Sequence, residues 1–344
     1  MENSCAIILA AGEGTRMKSK KPKVLINVLF KPMIKWVIDA VFESDIRDIC
    51  VVTGFKHKIL ENYLSNLPFP CEKFFQKERK GTAHAVMTAI DFLKRRKDCD
   101  VLILSGDAPL LDSDTIKNAY FEHKKQKNSA TIISAKINNP FSYGRIVREN
   151  GQVIKIVEQK DTDSKTSLIN EVNSGAYWFN VKSLLSILPF IENNNLQKEY
   201  YLPDAIGLLL ASGEKIDSYT ARKSDVILGA NDQSQLLILE QIAREKFLNK
   251  WIDFGTKMPC KDGITIGPDV QIEKDCTIFP DSIIYGLTKI GLNCKIGPNI
   301  TFKNCSVGKN NILKCAHFEN KIIKDSSPSQ SFSTEETSLR EIRC

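Results

Sequence analysis

A six-residue repeat late in the chain constrains the fold more than any other feature of the sequence. Seven apolar side chains fall at every sixth position: Ile266, Ile272, Ile278, Ile284, Ile290, Ile296 and Phe302. A six-residue period interrupted by Gly and Gly-Pro turns is typical of a parallel β-helix, in which each short strand stacks on the coil before it. Because the phase is lost after Phe302, the repeat predicts a short β-helix of about two triangular coils, at about three hexads per coil.

The first half of the chain alternates buried strands with amphipathic helices. Apolar, β-rich runs predict strands at residues 5–9, 48–55 and 100–111, and apolar side chains at helical spacing predict helices over 34–42 and 86–93. Continuous apolar strands separated by helices are typical of a largely parallel sheet that is covered on both faces. Such sheets bind ligands at the carboxyl ends of their strands. The segment after the first strand is therefore a candidate binding loop.

Two later segments have patterns of their own. The Glu-Asn-Gly-Gln turn at 149–152 predicts a β-hairpin over 143–161. Residues 225–252 are predicted as a strand, a loop and a long helix, with Asp232 or Ser234 as the N-cap of that helix.

Composition narrows the class of protein. The net charge of +7 in 344 residues is a modest excess that does not by itself indicate an anionic partner, and no nucleic-acid partner is expected. No run approaches the roughly 18 to 20 apolar residues that span a bilayer, so no membrane partner is expected. Ten cysteines without a CxxC pair indicate reduced thiols in a cytoplasmic protein. The Ser/Thr/Glu-rich residues 323–344 predict a disordered tail.

The candidate binding loop is rich in glycine and is followed by basic residues. In Gly12-Glu-Gly-Thr-Arg16 the glycines let backbone N–H groups approach a phosphate closely, and Arg16 and Lys23 would neutralise its charge. The segment contains neither a Walker loop nor a complete GxGxxG motif. It predicts a polyphosphate cradle, while a mobile surface turn with solvated lysines is the alternative that the glycines alone leave open.

Asp107 is the second candidate that the residues themselves suggest. It follows a predicted buried strand, where a carboxylate costs desolvation free energy unless something pairs with it. A hard cation that bridges phosphate oxygens would be such a partner. The alternative is a helix N-cap, but Asp112 and Ser113 are better placed for that role.

Several segments together resemble one enzyme family. The segment LAAGEGTRMKSKKPKVL at 9–25 resembles the signature of sugar-1-phosphate nucleotidylyltransferases. Further segments follow in the order found in the bifunctional N-acetylglucosamine-1-phosphate uridylyltransferase/glucosamine-1-phosphate acetyltransferase family, which also carries a hexad-built left-handed β-helix. These segments are QKERKGTAHAV (76–86), LSGDAPLL (104–111), YGRIVR (143–148), IVEQKD (156–161), NEVNSGAYWF (170–179), QKEYYLPDAI (197–206) and GANDQSQL (229–236).

The resemblance implies a fold and a division into domains. The fold would be an α/β Rossmann-like, glycosyltransferase-A-like nucleotidyltransferase domain with a mostly parallel sheet, followed by a short left-handed parallel β-helix. The implied domains are a uridylyltransferase domain at 1–230, a linker helix at 231–257, the β-helix at 258–322 and the tail at 323–344.

The resemblance also implies an activity. The enzyme would join UTP to N-acetylglucosamine 1-phosphate with Mg²⁺, giving the cell-wall precursor UDP-N-acetylglucosamine and pyrophosphate. Acetyl transfer is expected to be absent, because its site lies in later β-helix coils, and His317 is not expected to act as its base. Family trimers are built on the longer β-helix, so self-association of this chain is an open expectation.

Site residues follow from the matched motifs. Arg16 and Lys23 would be catalytic, and Asp107 and Asn231 would bind Mg²⁺. The nucleotide-binding positions would be Leu9, Ala10, Ala11, Gly12, Gly14, Thr15, Gln76, Gly81 and Thr82. The sugar-binding positions would be Gly144, Glu158, Asn173 and Tyr201.

Alternatives remain for single residues and for the whole chain. Thr82 could instead cap the helix that contains His84, and His84 is expected to be structural. Glu158 would, without the resemblance, be a solvated strand residue. For the whole chain, the alternatives are a nucleotidylyltransferase for another sugar 1-phosphate, such as glucose 1-phosphate, and a non-catalytic sensor or assembly subunit.

Overall fold

The computed structural model describes residues 1, 3–140, 142–195 and 197–326. These residues form two compact units, one made of Met1–Asn27 with Pro32–Leu239 and the other of Val28–Lys31 with the chain from Glu240 onward. Residues 327–344 of the predicted tail lie outside the described residues.

The helices and the first eleven strands have the following bounds. The strands are β1 (Ser4–Ala10), β2 (Asn27–Val28), β3 (Lys31–Pro32), β4 (Asp48–Thr53), β5 (Glu72–Phe75), β6 (Asp100–Ser105), β7 (Ala130–Lys136), β8 (Arg145–Glu149), β9 (Gln152–Val157), β10 (Glu171–Asn180) and β11 (Ile216–Thr220). The helices are α1 (Met33–Glu43), α2 (His57–Ser65), α3 (Thr82–Thr88), α4 (Ile90–Lys94), α5 (Ser113–Gln126), α6 (Val181–Ile187), α7 (Asp204–Ala211) and α8 (Gln233–Asp253).

A nine-stranded sheet forms the frame of the first unit, in the order β11-β7-β10-β6-β1-β4-β5 with the β8–β9 hairpin joined to β10. Strands β5, β4, β1 and β6 are parallel to one another, and β11 is parallel to β7. Strand β10 runs antiparallel to both of its neighbours, β6 and β7. The predicted α/β fold with a mostly parallel sheet is therefore confirmed.

Both faces of the central strand are buried. Along β1, Cys5 and Ile7 pack into one apolar cluster, whereas Ala6 and Ile8 pack into the other. This alternation follows from the two-residue period of a strand, whose side chains point to opposite faces. A strand that is covered on both faces has to be apolar at every position, which explains the continuous apolar run in the sequence.

The hairpin turn and two helix caps that the sequence predicted are present in the structure. In the predicted hairpin, Asn150 and Gly151 connect β8 to β9 with φ of 50° and 81°, the left-handed pair that a two-residue hairpin turn requires. Asp232 accepts a hydrogen bond from the backbone N–H of Gln235 at 2.9 Å and so caps α8. Asp112 caps α5 in the same way through Thr115.

Two helix and strand predictions were wrong in detail. The helix predicted over 86–93 is two helices, α3 and α4, which meet at Ala89. The strand predicted at the start of 225–252 is absent, and Ser224–Ile227 forms a 3-10 turn instead. Its apolar side chains are buried without joining a sheet, and periodicity cannot separate these outcomes for a short apolar run.

The strand predicted over 100–111 ends at Ser105. Beyond it, the backbone N–H of Gly106 still donates to the carbonyl of Leu9 at 2.8 Å. Pro109 has no N–H with which to continue a ladder of hydrogen bonds. Residues 106–111 therefore form a loop that carries Asp107 at the end of the strand.

The second unit contains the predicted parallel β-helix. Its strands are β12 (Thr265–Ile266), β13 (Gln271–Ile272), β14 (Thr277–Ile278), β15 (Ser282–Tyr285), β16 (Lys289–Ile290), β17 (Lys295–Ile296), β18 (Ile300–Lys303), β19 (Ser306–Val307), β20 (Ile312–Leu313), β21 (Ala316–Glu319) and β22 (Ile322–Ile323). They form three parallel sheets, β12-β15-β18-β21, β13-β16-β19-β22 and β14-β17-β20.

The β-helix is longer than the repeat alone predicted. Successive strands visit the three sheets in turn, so the described residues complete three coils and two sides of a fourth. After Phe302 the next strand buries Val307, five residues later instead of six, because that turn is one residue shorter. A shortened turn changes the spacing in the sequence without changing the stacking of the strands, which is why the phase was lost while the fold continued.

No helix among the described residues is both long enough and apolar enough to cross a membrane.

We expect Phe302→Ala to destabilise the β-helix by about 3–5 kcal/mol, because the ring is fully buried and stacks on Phe318 with centroids 5.3 Å apart. Hydrogen exchange measured by mass spectrometry should show lost protection in peptides of the β-helix. Leu287→Ala, at a side chain that is 75% exposed in the same unit, is the control and should leave protection unchanged. Equal protection in the two variants would contradict the assignment of Phe302 to the core.

Candidate active site

Four parallel strands end at one edge of the first unit's sheet. We call this the carboxyl edge, formed by the last residues of β1, β4, β5 and β6 and the loops that follow them. Backbone hydrogen bonds tie these loops together: the N–H of Phe55 donates to Ala11 O at 3.1 Å, and the N–H of Gln76 donates to Thr53 O at 2.8 Å. The predicted cradle, Gln76 and Asp107 are thereby brought to the same edge.

The glycine-rich loop after β1 is shaped by close packing at one glycine and open space at the other. Gly14 has φ +63°, and a Cβ there would lie 2.7 Å from Cβ of Lys23. Gly12 has nothing within 4 Å of the position that a Cβ would occupy, so its backbone faces open space. Arg16 follows on an exposed 3-10 turn and makes no ion pair within the described part of the chain. This loop offers free N–H groups and an unneutralised cation.

Lys23, Asp107 and Asn231 form the centre of the carboxyl edge, although the sequence separates them widely. The Lys23 ammonium is buried; it forms an ion pair with Asp107 and donates to Asn231 Oδ1 at 2.8 Å. Ser105 Oγ donates to the other carboxylate oxygen of Asp107 at 2.5 Å. Gln235 Oε1 accepts from the backbone N–H of Asn231 at 2.7 Å. The sequence did not point to Ser105 or Gln235, which orient the two predicted metal ligands.

The charge state of Asp107 follows from its surroundings. Burial opposes ionisation, but the adjacent Lys23 ammonium and the hydrogen bond from Ser105 outweigh it and hold the pKa of Asp107 below its usual value. Asp107 is therefore a carboxylate at neutral pH. Lys23 and Asp107 compensate each other in a place where either charge alone would be costly.

The oxygen donors at this centre fit Mg²⁺. One carboxylate oxygen and one amide oxygen converge on a single cation, here the ammonium of Lys23. Mg²⁺ typically takes one or two carboxylates and completes its shell with waters and substrate phosphates. No group of three or more His, Cys, Asp or Glu side chains suited to a metal occurs in the described ranges, so phosphates would have to supply further ligands.

Gln76 lies at the carboxyl edge, directly after β5, and is almost fully buried. Its amide donates to Gly81 O at 3.3 Å and lies 2.8 Å from His84 Nδ1. Burial, and then the charge of Lys80, lowers the pKa of His84, so the imidazole is neutral near pH 7. His84 thus acts as a support for Gln76, as its predicted structural role requires.

The alternative role of Thr82 as a helix cap is wrong. Gly81 is the residue before α3, and no side chain caps this helix. The Thr82 hydroxyl instead accepts from the backbone N–H of Leu202 at 2.9 Å. The hydroxyl is used to hold the segment before α7 against α3.

A cavity of about 210 Å³ contains two of the predicted sugar-binding residues, Glu158 and Tyr201. Its other lining residues are Ser142, Gln159, Lys160, Asp161, Asn195 and Gln197. Gly144 borders it, since a Cβ there would lie 3.1 Å from Glu158 Oε1. Asn173 is joined to Gly144 by a 2.8 Å backbone hydrogen bond, and its amide donates to the Tyr177 hydroxyl at 2.6 Å. The structure therefore groups all four predicted sugar-binding residues.

Glu158 is a carboxylate in need of hydrogen-bond donors. Burial, followed by the charges of Asp161 and Asp204, raises its pKa above the usual value. Its carboxylate makes no hydrogen bond to another residue in the described part of the chain, which does not fit a solvated strand residue. The two aspartates were not singled out from the sequence, although Asp161 stands in the same IVEQKD segment.

Gln159 lines the cavity and is held in place by hydrogen bonds to its side-chain amide oxygen. Its Oε1 accepts from Arg145 Nη2 at 2.8 Å and from the backbone N–H of Ser142 at 3.0 Å. Arg145 is buried and also donates to Tyr143 O. This cluster fixes the β8–β9 hairpin at the place where Gly144 approaches Glu158.

Comparisons with known proteins agree with this geometry. Residues 5–259 match the family model described as nucleotidyl transferase. The chain is 40% identical over 319 residues to the bifunctional protein GlmU of Fervidobacterium nodosum, covering 93% of this chain and 68% of that protein. It is 41% identical over 323 residues to the bifunctional protein GlmU of Clostridium beijerinckii, covering 94% of this chain and 70% of that protein.

A solved structure shares the fold. It is a Bacillus anthracis protein described as a glucose-1-phosphate thymidylyltransferase, with a TM-score of 0.58 and 21% identity. The match covers 70% of this chain and 96% of that one.

We expect Glu158→Gln to raise the melting temperature at about pH 7.5 and to leave it unchanged at about pH 4. Because its pKa is raised, folding favours the protonated form of Glu158. The resulting contribution to the free energy of unfolding is complete below the unfolded pKa, about 4.3, and is lost as pH rises through the folded pKa. Calorimetric scans of both proteins at both pH values measure the difference. Glu149→Gln, at an exposed position on β8, is the control; an equal pH-dependent gain there would contradict the burial argument.

Proposed function

Since the chain belongs to the nucleotidyl transferase family and, within it, to the bifunctional GlmU proteins, we propose that it transfers a uridylyl group from UTP to N-acetylglucosamine 1-phosphate. The observation that carries this proposal is the meeting of Lys23, Asp107 and Asn231 beside an open glycine-rich loop. A site of this kind gathers anions. The cavity around Glu158 supplies a second polar binding site, lined by both acidic and basic side chains.

The positive groups have separate tasks. The open backbone at Gly12 and Arg16, which makes no ion pair with the described residues, would receive the triphosphate, and Lys23 would shift its ammonium from Asp107 to a phosphate oxygen. Asp107 and Asn231 would hold Mg²⁺, which supplies positive charge to the phosphates when it is bound. The remaining predicted nucleotide positions, Leu9, Ala10, Ala11, Gly14 and Thr15, line the same loop or the end of β1.

The reaction requires alignment more than proton transfer. An oxygen of the sugar phosphate attacks the α-phosphorus of UTP; the new P–O bond forms as the bond from that phosphorus to the bridging oxygen breaks, and pyrophosphate leaves with the electron pair. The attacking oxygen is already ionised, so no side chain has to remove a proton. The protein lowers the barrier by bringing two polyanions together in fixed geometry.

The uracil base and the sugar would be recognised by side chains that either lack a hydrogen-bond partner or are held in place by neighbouring residues. The Gln76 amide, supported by His84, and the backbone at Gly81 would pair with the uracil edge. Glu158 would accept hydrogen bonds from sugar hydroxyls, which relieves the cost of its burial. Tyr201 lines the same cavity, and Asn173 lies next to Gly144, which borders it. The expected absence of acetyl transfer and the expectation of self-association stay predictions.

A pyrophosphate-release assay across nucleoside triphosphates and sugar 1-phosphates tests the function. We expect turnover with UTP and N-acetylglucosamine 1-phosphate, little with glucose or galactosamine 1-phosphate, and loss of turnover when a chelator removes divalent cations. Preference for glucose 1-phosphate would favour a different sugar specificity. Failure to release pyrophosphate with any pair would favour a non-catalytic role.

We expect Lys23→Met and Asp107→Asn each to lower kcat by about 10²–10³-fold, because each removes a preorganised charge from the reacting phosphates. These near-isosteric changes are preferred to alanine, since truncating one partner of a buried ion pair costs about 3–5 kcal/mol of stability. Circular dichroism melting checks the fold. Lys31→Met is the control for loss of a buried lysine in the second unit, and kcat close to that of the unaltered protein in either test variant would contradict the assignment.

A further inference from the structure

An ion pair spans the glycine-rich loop and the loop before α3, and neither partner belongs to the residues assigned above. Arg79 Nη2 lies 2.9 Å from Oε2 of Glu13, the residue between Gly12 and Gly14. The Arg79 guanidinium is also 5.8 Å from the ring of Phe55, which follows β4 at the same edge. A cation is thus held directly over the loop that would receive the triphosphate.

The backbone beneath Arg79 is firmly anchored. The N–H of Gln76 is tied to Thr53 O, and the Lys80 carbonyl accepts from the N–H of Tyr200 at 2.7 Å. Tyr200 O in turn accepts from the N–H of Ala83 at 2.9 Å. Both ends of the short loop are therefore fixed, so Arg79 can change its partner by moving its side chain alone.

The present partner of Arg79 is a weak one. The Arg79 and Glu13 side chains are 44% and 39% exposed, and ion pairs with such exposure contribute little because solvent screens them. A nucleoside triphosphate carries several negative charges and offers oxygens that a guanidinium can engage in pairs. Exchange of the Glu13 carboxylate for phosphate oxygens is therefore favourable, because the ion pair that is lost is weak and the triphosphate offers more charge and paired oxygens.

We propose that Arg79 is a further nucleotide-binding residue, held by Glu13 in the free protein and transferred to the triphosphate when UTP binds. The inference rests on the proposed function, since it assigns Arg79 to the same triphosphate. It gives Glu13 a role as a stand-in anion that keeps the guanidinium over the loop. Glu13 then competes with the triphosphate for Arg79, and the ion pair does not help to hold the bound triphosphate.

The competition predicts opposite effects from the two partners. Arg79→Gln should weaken UTP binding by at least about tenfold, and Arg79→Lys should recover part of that loss. Glu13→Gln should tighten UTP binding by about two- to fivefold, because it removes the competing anion. The KM for the sugar phosphate should not change in any of these variants. Calorimetric titration with UTP in the absence of sugar phosphate measures the Kd without turnover.

The neighbouring ion pair of Lys80 and Glu78 provides matched controls, since it carries the same charges in the same loop. Lys80→Gln and Glu78→Gln should each change the Kd for UTP by less than about twofold. The proposal is overturned if Arg79→Gln weakens binding no more than Lys80→Gln does. It is equally overturned if Glu13→Gln fails to tighten binding, or tightens it no more than Glu78→Gln does.

The outcome separates this inference from the proposed function. Turnover by the unaltered protein with UTP and N-acetylglucosamine 1-phosphate tests the function alone. If turnover occurs and the Arg79 and Glu13 variants both weaken UTP binding, the pair is a clamp between loops and the exchange is wrong while the function stands.

Discussion

The ion pair between Lys23 and Asp107 is the interaction on which the rest of the site depends. It joins the loop after β1 to the loop after β6, and through Asn231 it draws in the segment before α8. Each charge is tolerable at this depth only because the other is present. The parallel arrangement of β1 and β6 makes the pairing available, since it delivers both loops to the same edge of the sheet.

The same principle recurs across the carboxyl edge. In the free protein, each group proposed to contact the nucleotide or the sugar either pairs with a neighbouring side chain or lacks a hydrogen-bond partner. Lys23 pairs with Asp107, Arg79 pairs with Glu13, and the half-buried Glu158 carboxylate has no hydrogen-bond donor among the described residues. Binding of a metal-bound nucleotide and a sugar would satisfy all three.

The two units pack their strands differently, and this difference determines how much of each unit can be predicted from the sequence. The sheet buries both faces of β1, β4 and β6, so these strands are nearly continuous apolar runs, and the apolar pattern does not mark where each strand ends. In the β-helix, each strand from β12 to β18 buries one side chain of the six-residue series, so the period is visible in the sequence. That period failed after Phe302 because the turns before Val307, Phe318 and Ile323 are each one residue shorter, although the strands continue to stack as far as Ile323.

The sequence by itself determined the fold class, the hairpin at Asn150, the caps at Asp112 and Asp232 and the family, because these depend on local periods, turn chemistry and ordered motifs. The tertiary structure alone decided that Lys23 pairs with Asp107, that Ser105 and Gln235 orient the proposed metal ligands, that Thr82 holds Leu202 and that Arg79 meets Glu13. Those contacts join loops from different strands. Their partners are set by the order and direction of strands in the sheet, which no local pattern of residues contains.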